Sequence, residues 1–126
     1  MKSIFLICTL FFGINFAQAQ TRGTIDKNTR LFTVKAALAD KYSVIGYAEP
    51  DRKSQKMIIF SVYDNEVTDN PMNLPLGAYH ETTGLKDGDH IEYDSEAGQF
   101  VKLNYIRSNK TITPFYIERG FIKFSQ

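Results

Sequence analysis

Two histidines are the first residues in this sequence whose chemistry suggests a metal site, because each has a carboxylate nearby. Glu92 follows His90 by two residues, and Asp87 and Asp89 precede it. Residues two apart on a strand share a face, so the imidazole of His90 and the carboxylate of Glu92 could contact one ion. Zinc requires three or four ligands. The candidate metal ligands are therefore Asp87, Asp89, His90 and Glu92, and the alternative is a pair of surface histidines in a polar segment.

Residues 64–99 form an acidic middle segment, with nine Asp or Glu residues against one lysine. Calcium takes oxygen ligands, and secreted domains often meet it at about millimolar concentration. The acids lack the glycine-centred spacing of an EF-hand, and Asp-Asn pairs such as those at 64–65 and 69–70 are typical turn formers. We therefore expect no cofactor, with a structural calcium ion as the alternative. Basic segments flank the acidic one, which favours mutual neutralisation across neighbouring strands.

The sequence carries no recognised catalytic motif. The G-x-S-x-G turn of a hydrolase nucleophile does not occur, and neither do the glycine patterns that bind phosphates or dinucleotides. Paired carboxylates for glycoside hydrolysis stay open, because any two of the fourteen acids could converge in the fold. We expect a protein that is not an enzyme. The alternative is a small hydrolase or metal-dependent enzyme that uses the acidic middle segment.

Tyrosine is the most suggestive residue type, with seven copies and no tryptophan in the chain. Tyrosine suits a half-buried sheet face, where the ring packs and the hydroxyl reaches water. Ordinary core and rim packing explains this pattern, and the functional interpretation is an aromatic sheet face that binds a protein, peptide or glycan. We do not expect nucleic acid, because the formal net charge is only +1 with Lys2 included. The candidate ligand-binding residues are Tyr47, Tyr63, Tyr79, Tyr93, Tyr105 and Tyr116, and the loop at 64–82 is the other candidate surface.

The strand predicted at residues 56–63 is the central element of the expected fold. Ile58, Phe60 and Val62 point to one face and residues of the other face are also apolar, which indicates a strand covered on both sides. A polar turn at 50–55 connects it to a strand at 43–49, so residues 43–63 are predicted to form a hairpin. Gly46 is predicted to mark a bulge or a close backbone approach.

Two alternatives stay open for residues 29–42, since apolar residues recur there both at helical spacing and at period two. The second half is predicted to be a meander of short strands, with Gly88 and Gly98 in turns and Pro114 at an edge or bulge. The fold class is mainly β: a small antiparallel barrel or sandwich of about six to eight short strands. A short helix near residues 29–41 is the expected addition.

The N-terminus is typical of a secretory signal peptide. Lys2 precedes an apolar run at 4–16, and small residues at 17 and 19 match a cleavage site. We predict cleavage after Ala19, which leaves one β-rich domain at 20–126 without a membrane anchor, secreted or periplasmic. The only cysteine, Cys8, lies in the signal, so the mature chain is cysteine-free. The expected function is non-catalytic binding of a partner or ligand, and a structural component of the cell envelope is a further alternative.

Overall fold

Nine strands make up about half of the chain that the computed structural model describes, which is residues 23–34 and 43–125. The predicted signal peptide at 1–19 and its cleavage site lie outside these residues. In chain order the elements are β1 (Gly23–Asp26), β2 (Phe32–Val34), β3 (Val44–Tyr47), β4 (Lys56–Phe60), α1 (Asp64–Val67), β5 (Gly77–Tyr79), a 3₁₀ turn (Thr82–Gly84), β6 (His90–Ala97), β7 (Phe100–Ile106), β8 (Ile112–Glu118), a second 3₁₀ turn (Arg119–Phe121) and β9 (Ile122–Ser125). None of the described helices is long and apolar enough to cross a membrane.

The strands form two sheets, one of three strands in the order β2-β1-β9 and one of six in the order β5-β4-β3-β8-β7-β6. The sheets pack in a sandwich-like arrangement without closing into a barrel, so the prediction of a mainly β fold is confirmed. Not every neighbour is antiparallel: β1 with β9 and β4 with β5 are parallel pairs. Parallel neighbours need long connections, and each of these pairs is joined by a long stretch of chain.

The predicted hairpin at 43–63 is confirmed. β3 and β4 pair antiparallel through Val44↔Phe60 and Ile45↔Ile59. In β4, Ile58 and Phe60 belong to the main core and are fully buried, while Ile59 points to the other face and is 1% exposed. Both faces of this strand are therefore covered, as the apolar pattern predicted, although the regular ladder ends at Phe60 rather than at Tyr63.

Gly46 is both a bulge position and a point of close approach. The β3–β4 register shifts between Gly46 and Tyr47. A Cβ at residue 46 would lie 2.5 Å from Phe115 Cδ2 and 2.6 Å from Ile58 Cγ2. Two buried side chains therefore occupy the volume that any larger residue at 46 would need.

The helix expected near residues 29–41 does not form in its described part. Phe32–Val34 is a strand, with Phe32 and Val34 buried and Thr33 exposed, so the period-two alternative is correct there. The physical reason is tertiary pairing: β2 aligns antiparallel with β1, and the ring of Phe32 packs edge-on against Phe60 of the other sheet at 6.0 Å. Residues 35–41 lie outside the described chain.

The second half confirms the predicted meander and extends it. β6 continues past its predicted end to Ala97, with a bulge between Tyr93 and Ser95. Gly88 and Gly98 have φ of +85° and +65°, as their turns required. β8 pairs with β7 throughout but with β3 only at Tyr116, so Pro114 has no β3 partner in the described chain.

The core fills the space between the sheets. Its buried apolar members are Ile25, Phe32, Val34, Val44, Ile58, Phe60, Leu76, Ile91, Val101, Leu103, Tyr105, Phe115, Ile117 and Ile122. At one margin the sheets are joined directly, by a bridge between Leu31 and Glu92 and a hydrogen bond from Tyr93 N–H to Arg30 O (2.8 Å). This seam between the sheets positions one of the two clefts described below.

Candidate functional site

The four predicted metal ligands do not converge on a common point. His90 Nε2 lies 2.9 Å from Glu92 Oε2, as expected for residues sharing a strand face. Asp89 faces elsewhere: its Oδ2 accepts from the Tyr105 hydroxyl (2.8 Å) and its Oδ1 from the N–H of Ser108 (3.0 Å). Within residues 23–34 and 43–125, no three His, Cys, Asp or Glu side chains are grouped so that they could hold a metal ion.

Carboxylates of the acidic middle segment accept hydrogen bonds from serine side chains and lie near a lysine of this protein. Glu66 accepts hydrogen bonds from Ser61 (2.5 Å) and Ser43 (2.7 Å), and these bonds lower the pKa of its carboxyl. Asp94 lies 4.0 Å from the ammonium of Lys102, a contact between the acidic and the following basic segment. Such pairs agree with the interpretation that the charged segments neutralise one another.

One serine and one histidine lie close together but not in the geometry of a nucleophile and its base. His80 Nδ1 lies 3.2 Å from the carbonyl oxygen of Ser61, and its Nε2 lies 3.2 Å from Asp64 Oδ1. The Ser61 hydroxyl instead donates to Glu66 and is fully buried. A serine nucleophile needs its hydroxyl on the histidine ring and open to substrate, so this cluster supports no acyl transfer.

The predicted tyrosines do not form one aromatic surface. Tyr47 is buried beside Phe100, with the two rings perpendicular at 6.2 Å, and burial raises the pKa of its phenol. Tyr116 is its cross-strand neighbour, and Tyr63 is exposed on the chain after β4. The other three tyrosines line two separate clefts. The structure thus distributes these tyrosines over several places in the fold, and ligand binding by them stays a prediction.

The first site, which we call the tyrosine cleft, lies beside the 64–82 loop and has a volume of about 270 Å³. Tyr79 and Tyr105 meet there with their hydroxyl oxygens 3.4 Å apart, and Tyr105 is 2% exposed. Burial and its neighbours Tyr79 and Asp89 raise the pKa of Tyr105 well above its ordinary value. The lining residues are Asn70, Leu74, Pro75, Leu76, Gly77, Tyr79, Lys86, Asp89, Tyr105 and Arg107.

The second site, the seam cleft, lies where the three-stranded sheet meets β6. Its volume is about 420 Å³, within the range of about 300–1,000 Å³ typical of small-molecule sites. Its residues come from β1 and the turn after it, from β6, from the second 3₁₀ turn and from β9. They are Ile25, Asp26, Lys27, Arg30, Tyr93, Glu96, Arg119 and Phe124.

Arg30 fixes one wall of the seam cleft. Its guanidinium lies over the Tyr93 ring, 5.3 Å from the centroid. Nε and Nη2 donate to the carbonyl of Tyr93 (3.2 and 3.0 Å), and Nη2 also donates to that of Asp94 (3.0 Å). These carbonyls belong to the β6 bulge, where the regular ladder is interrupted. The backbone of Arg30 has φ of +65°, a conformation that turns the chain from β1 into β2.

The aromatic part of the seam cleft is a pair of rings with charged side chains around it. Tyr93 and Phe124 pack edge to face, with ring centroids 5.3 Å apart. Arg119 lies over the Phe124 ring at 5.9 Å and forms an ion pair with Glu96. Glu96 also accepts a hydrogen bond from the Tyr93 hydroxyl (3.0 Å). Arg119 and Glu96 are each about half exposed, with side-chain exposures of 50% and 45%, so both can exchange partners with solvent or a ligand.

Charge in the seam cleft is positive on balance. Lys27, Arg30 and Arg119 contribute three cations against two carboxylates, and Lys27 makes no ion pair within the described chain. The Asp26 carboxylate is hydrogen-bonded within its own turn, since its Oδ1 accepts hydrogen bonds from the backbone N–H groups of Asn28 and Thr29 (2.8 and 3.2 Å). The cleft therefore offers aromatic rings and cationic donors, a combination suited to a flat molecule bearing an anionic group.

Of the residues that line the seam cleft, the sequence predicted only Tyr93 as a binding residue. Glu96 was assigned to the acidic segment. Arg30, Arg119 and Phe124 were missed because they lie far apart in the chain and share no motif spacing. The sequence contains no signal that pairs them. Only the parallel alignment of β1 with β9, through Ile25↔Phe124, brings the two ends of the described chain together.

The sequence matches no model of a known protein family and no curated protein, and the fold matches no solved structure. Function is therefore inferred from the two clefts alone.

Proposed function

We propose that this chain is an exported, non-catalytic binding module whose seam cleft holds a small organic ligand with a flat apolar part and a carboxylate. The observation that supports it is the aromatic pair of Tyr93 and Phe124, placed between the guanidinium groups of Arg30 and Arg119. Aromatic faces bind planar apolar groups, and guanidinium binds carboxylate with two parallel hydrogen bonds.

The two arginines have different roles in this proposal. Arg30 uses Nε and Nη2 to bind backbone carbonyls, so its guanidinium is held in one orientation. It supplies a fixed positive field at low cost in entropy. Arg119 is the exchangeable partner, since its side chain is half exposed: a ligand carboxylate would replace Glu96 on its guanidinium. Glu96 therefore competes with the ligand for Arg119.

The ligand proposal is tested by NMR titration of the mature protein with three probes: benzoate, its neutral analogue benzamide, and acetate. Benzoate should bind best, because only benzoate has both the ring and the charge. Arg119→Leu should weaken benzoate binding about tenfold, the loss of one charge-assisted contact, and leave benzamide unaffected. Glu96→Gln should strengthen benzoate binding by freeing Arg119.

Arg52→Leu is the matched control, because Arg52 is also an exposed arginine in an ion pair, with Glu118 at 2.8 Å, and neither residue lines the seam cleft. It should leave benzoate binding unchanged. Equal binding of benzoate and benzamide, or an Arg119→Leu protein that binds benzoate normally, would refute the proposal.

Export is the second part of the proposal and is supported by the sequence at 1–19. Mass spectrometry of the protein from the medium or the cell envelope should find a chain that starts at residue 20. Recovery of an intact chain from the cytoplasm would contradict it.

A further inference from the structure

The tyrosine cleft has a chemistry different from that of the seam cleft and lies at another place in the fold. Its floor is fixed by Tyr79, whose hydroxyl donates to Leu76 O at 2.6 Å. Gly77 permits this contact: its φ is +101°, and a Cβ there would lie 2.7 Å from the Tyr79 hydroxyl oxygen. Leu76 is 4% exposed, so this wall of the cleft is apolar and held in place.

One side of the cleft presents hydrogen-bond acceptors. The Tyr79 hydroxyl donates a hydrogen bond to Leu76 O, and the Tyr105 hydroxyl donates one to Asp89 Oδ2 (2.8 Å). A phenol has one hydrogen to donate. The two hydroxyl oxygens lie 3.4 Å apart, beside the Asp89 carboxylate. Because each phenol oxygen has two lone pairs, this group of oxygens can accept hydrogen bonds from a ligand.

The same cleft also presents cationic donors. Lys86 and Arg107 both line it, and neither forms an ion pair with any carboxylate of residues 23–34 and 43–125. Arg107 is held in place by its Nη1 contact with the Thr113 hydroxyl (3.1 Å) and by lying over the Tyr105 ring at 5.4 Å. Two cations without a carboxylate partner at one cavity are suited to a carboxylate ligand.

We infer that the tyrosine cleft binds a small α-amino acid as its zwitterion, with the ammonium at Tyr79, Tyr105 and Asp89 and the carboxylate at Lys86 and Arg107. A simple anion would satisfy the cations but leave the phenol oxygens without a donor and lie close to Asp89. The volume of about 270 Å³ is just below the range of about 300–1,000 Å³ that holds drug-sized ligands. The apolar wall at Leu76 favours a small apolar side chain.

The test compares L-alanine with two analogues that each lack one charge. Propionate has no ammonium and L-alaninamide has no carboxylate. NMR titration of the mature protein should give L-alanine an affinity at least tenfold higher than either analogue. Propionate binding as well as L-alanine would overturn the inference in favour of a simple anion site, and the absence of shifts around Tyr105 up to the solubility of L-alanine would overturn it altogether.

One substitution separates the two kinds of contact in the cleft. Lys86→Met should weaken L-alanine binding about tenfold and leave L-alaninamide unchanged. Lys53→Met is the matched control, since Lys53 is exposed in the β3–β4 turn and also makes no ion pair within the described chain. Equal effects of Lys86→Met and Lys53→Met would refute the assignment.

Arg119→Leu should leave L-alanine binding unchanged, because Arg119 belongs to the seam cleft. This variant keeps the two proposals distinguishable: failure of benzoate to bind bears on the seam cleft alone, and failure of L-alanine bears on the tyrosine cleft alone.

Discussion

Gly46→Ala tests whether the side chains of β4 and β8, the two strands beside β3 in the six-stranded sheet, pack over residue 46 as closely as the structure indicates. The new Cβ would lie 2.5 Å from Phe115 Cδ2 and 2.6 Å from Ile58 Cγ2, whereas ordinary contacts begin near 3.4 Å. The overlap is therefore close to 1 Å against each neighbour. Phe115 and Ile58 are both fully buried, so neither can move into solvent to relieve it. Residue 46 has no positive φ, so the cost is steric and not one of backbone strain.

Overpacking of this kind costs about 1–3 kcal/mol, and two immobile neighbours place Gly46→Ala near 3 kcal/mol. With a urea m-value of about 1.5 kcal/mol/M, the unfolding midpoint should fall by about 2 M. The assay is equilibrium urea unfolding of residues 20–126, followed by tyrosine fluorescence and by circular dichroism. Coincident transitions would support two-state analysis.

Gly120→Ala is the matched control. A Cβ at residue 120 meets no atom within 4 Å, and its φ is not positive. It should be neutral or stabilise by about 0.4–1 kcal/mol through a less flexible unfolded chain. Phe115→Leu and Gly46→Ala together should cost less than the sum of the two single substitutions, because the smaller side chain at 115 relieves the overlap with the new Cβ. A Gly46→Ala protein as stable as Gly120→Ala would refute the packing described for β3.

Two side chains with shifted pKa values, Tyr105 and Glu66, should make the stability of the fold depend on pH. Burial raises the pKa of Tyr105, so the contribution of its neutral hydroxyl to stability is complete below about pH 10. Above that pH the free energy of unfolding should fall by up to about 1.4 kcal/mol per pH unit. Urea unfolding at a series of alkaline pH values measures this fall, and a free energy of unfolding that stays constant above pH 10 would contradict the buried hydroxyl. The pKa of Glu66 is lowered by hydrogen bonds from Ser61 and then Ser43, so its contribution is present above its ordinary pKa and is lost as the pH falls. Glu66→Gln should therefore lose less stability between pH 7 and pH 3 than the unmodified protein. The difference between the two losses should be about 1 kcal/mol or less, because the carboxylate is partly exposed. Identical dependence of stability on acid pH in the two proteins would exclude a stabilising role for the ionised Glu66 carboxylate.

Local pattern determined much of the fold. The two-faced apolar pattern of residues 56–63 predicted a covered strand, which the structure forms at Lys56–Phe60. The polar turn at 50–55 predicted the hairpin with β3. Both features depend on neighbours in sequence. Gly88 and Gly98 were predicted in turns for the same reason, and both have positive φ. Gly46 was predicted as a bulge or close approach because glycine weakens the interior of a strand and is typically found there where the backbone bends or a neighbour packs closely.

Tertiary structure decided the rest. Phe32–Val34 fits a helix or a strand by pattern, and pairing with β1 selects the strand. The seam cleft exists because β1 aligns parallel with β9 and because Arg30 binds the carbonyls of the β6 bulge, contacts between residues with large sequence separation. Likewise, sequence spacing placed Asp89 among metal ligands, and packing turned it to the hydroxyl of Tyr105 instead. Side-chain type sets what a residue can bind, but only the packing of distant strands sets which groups meet.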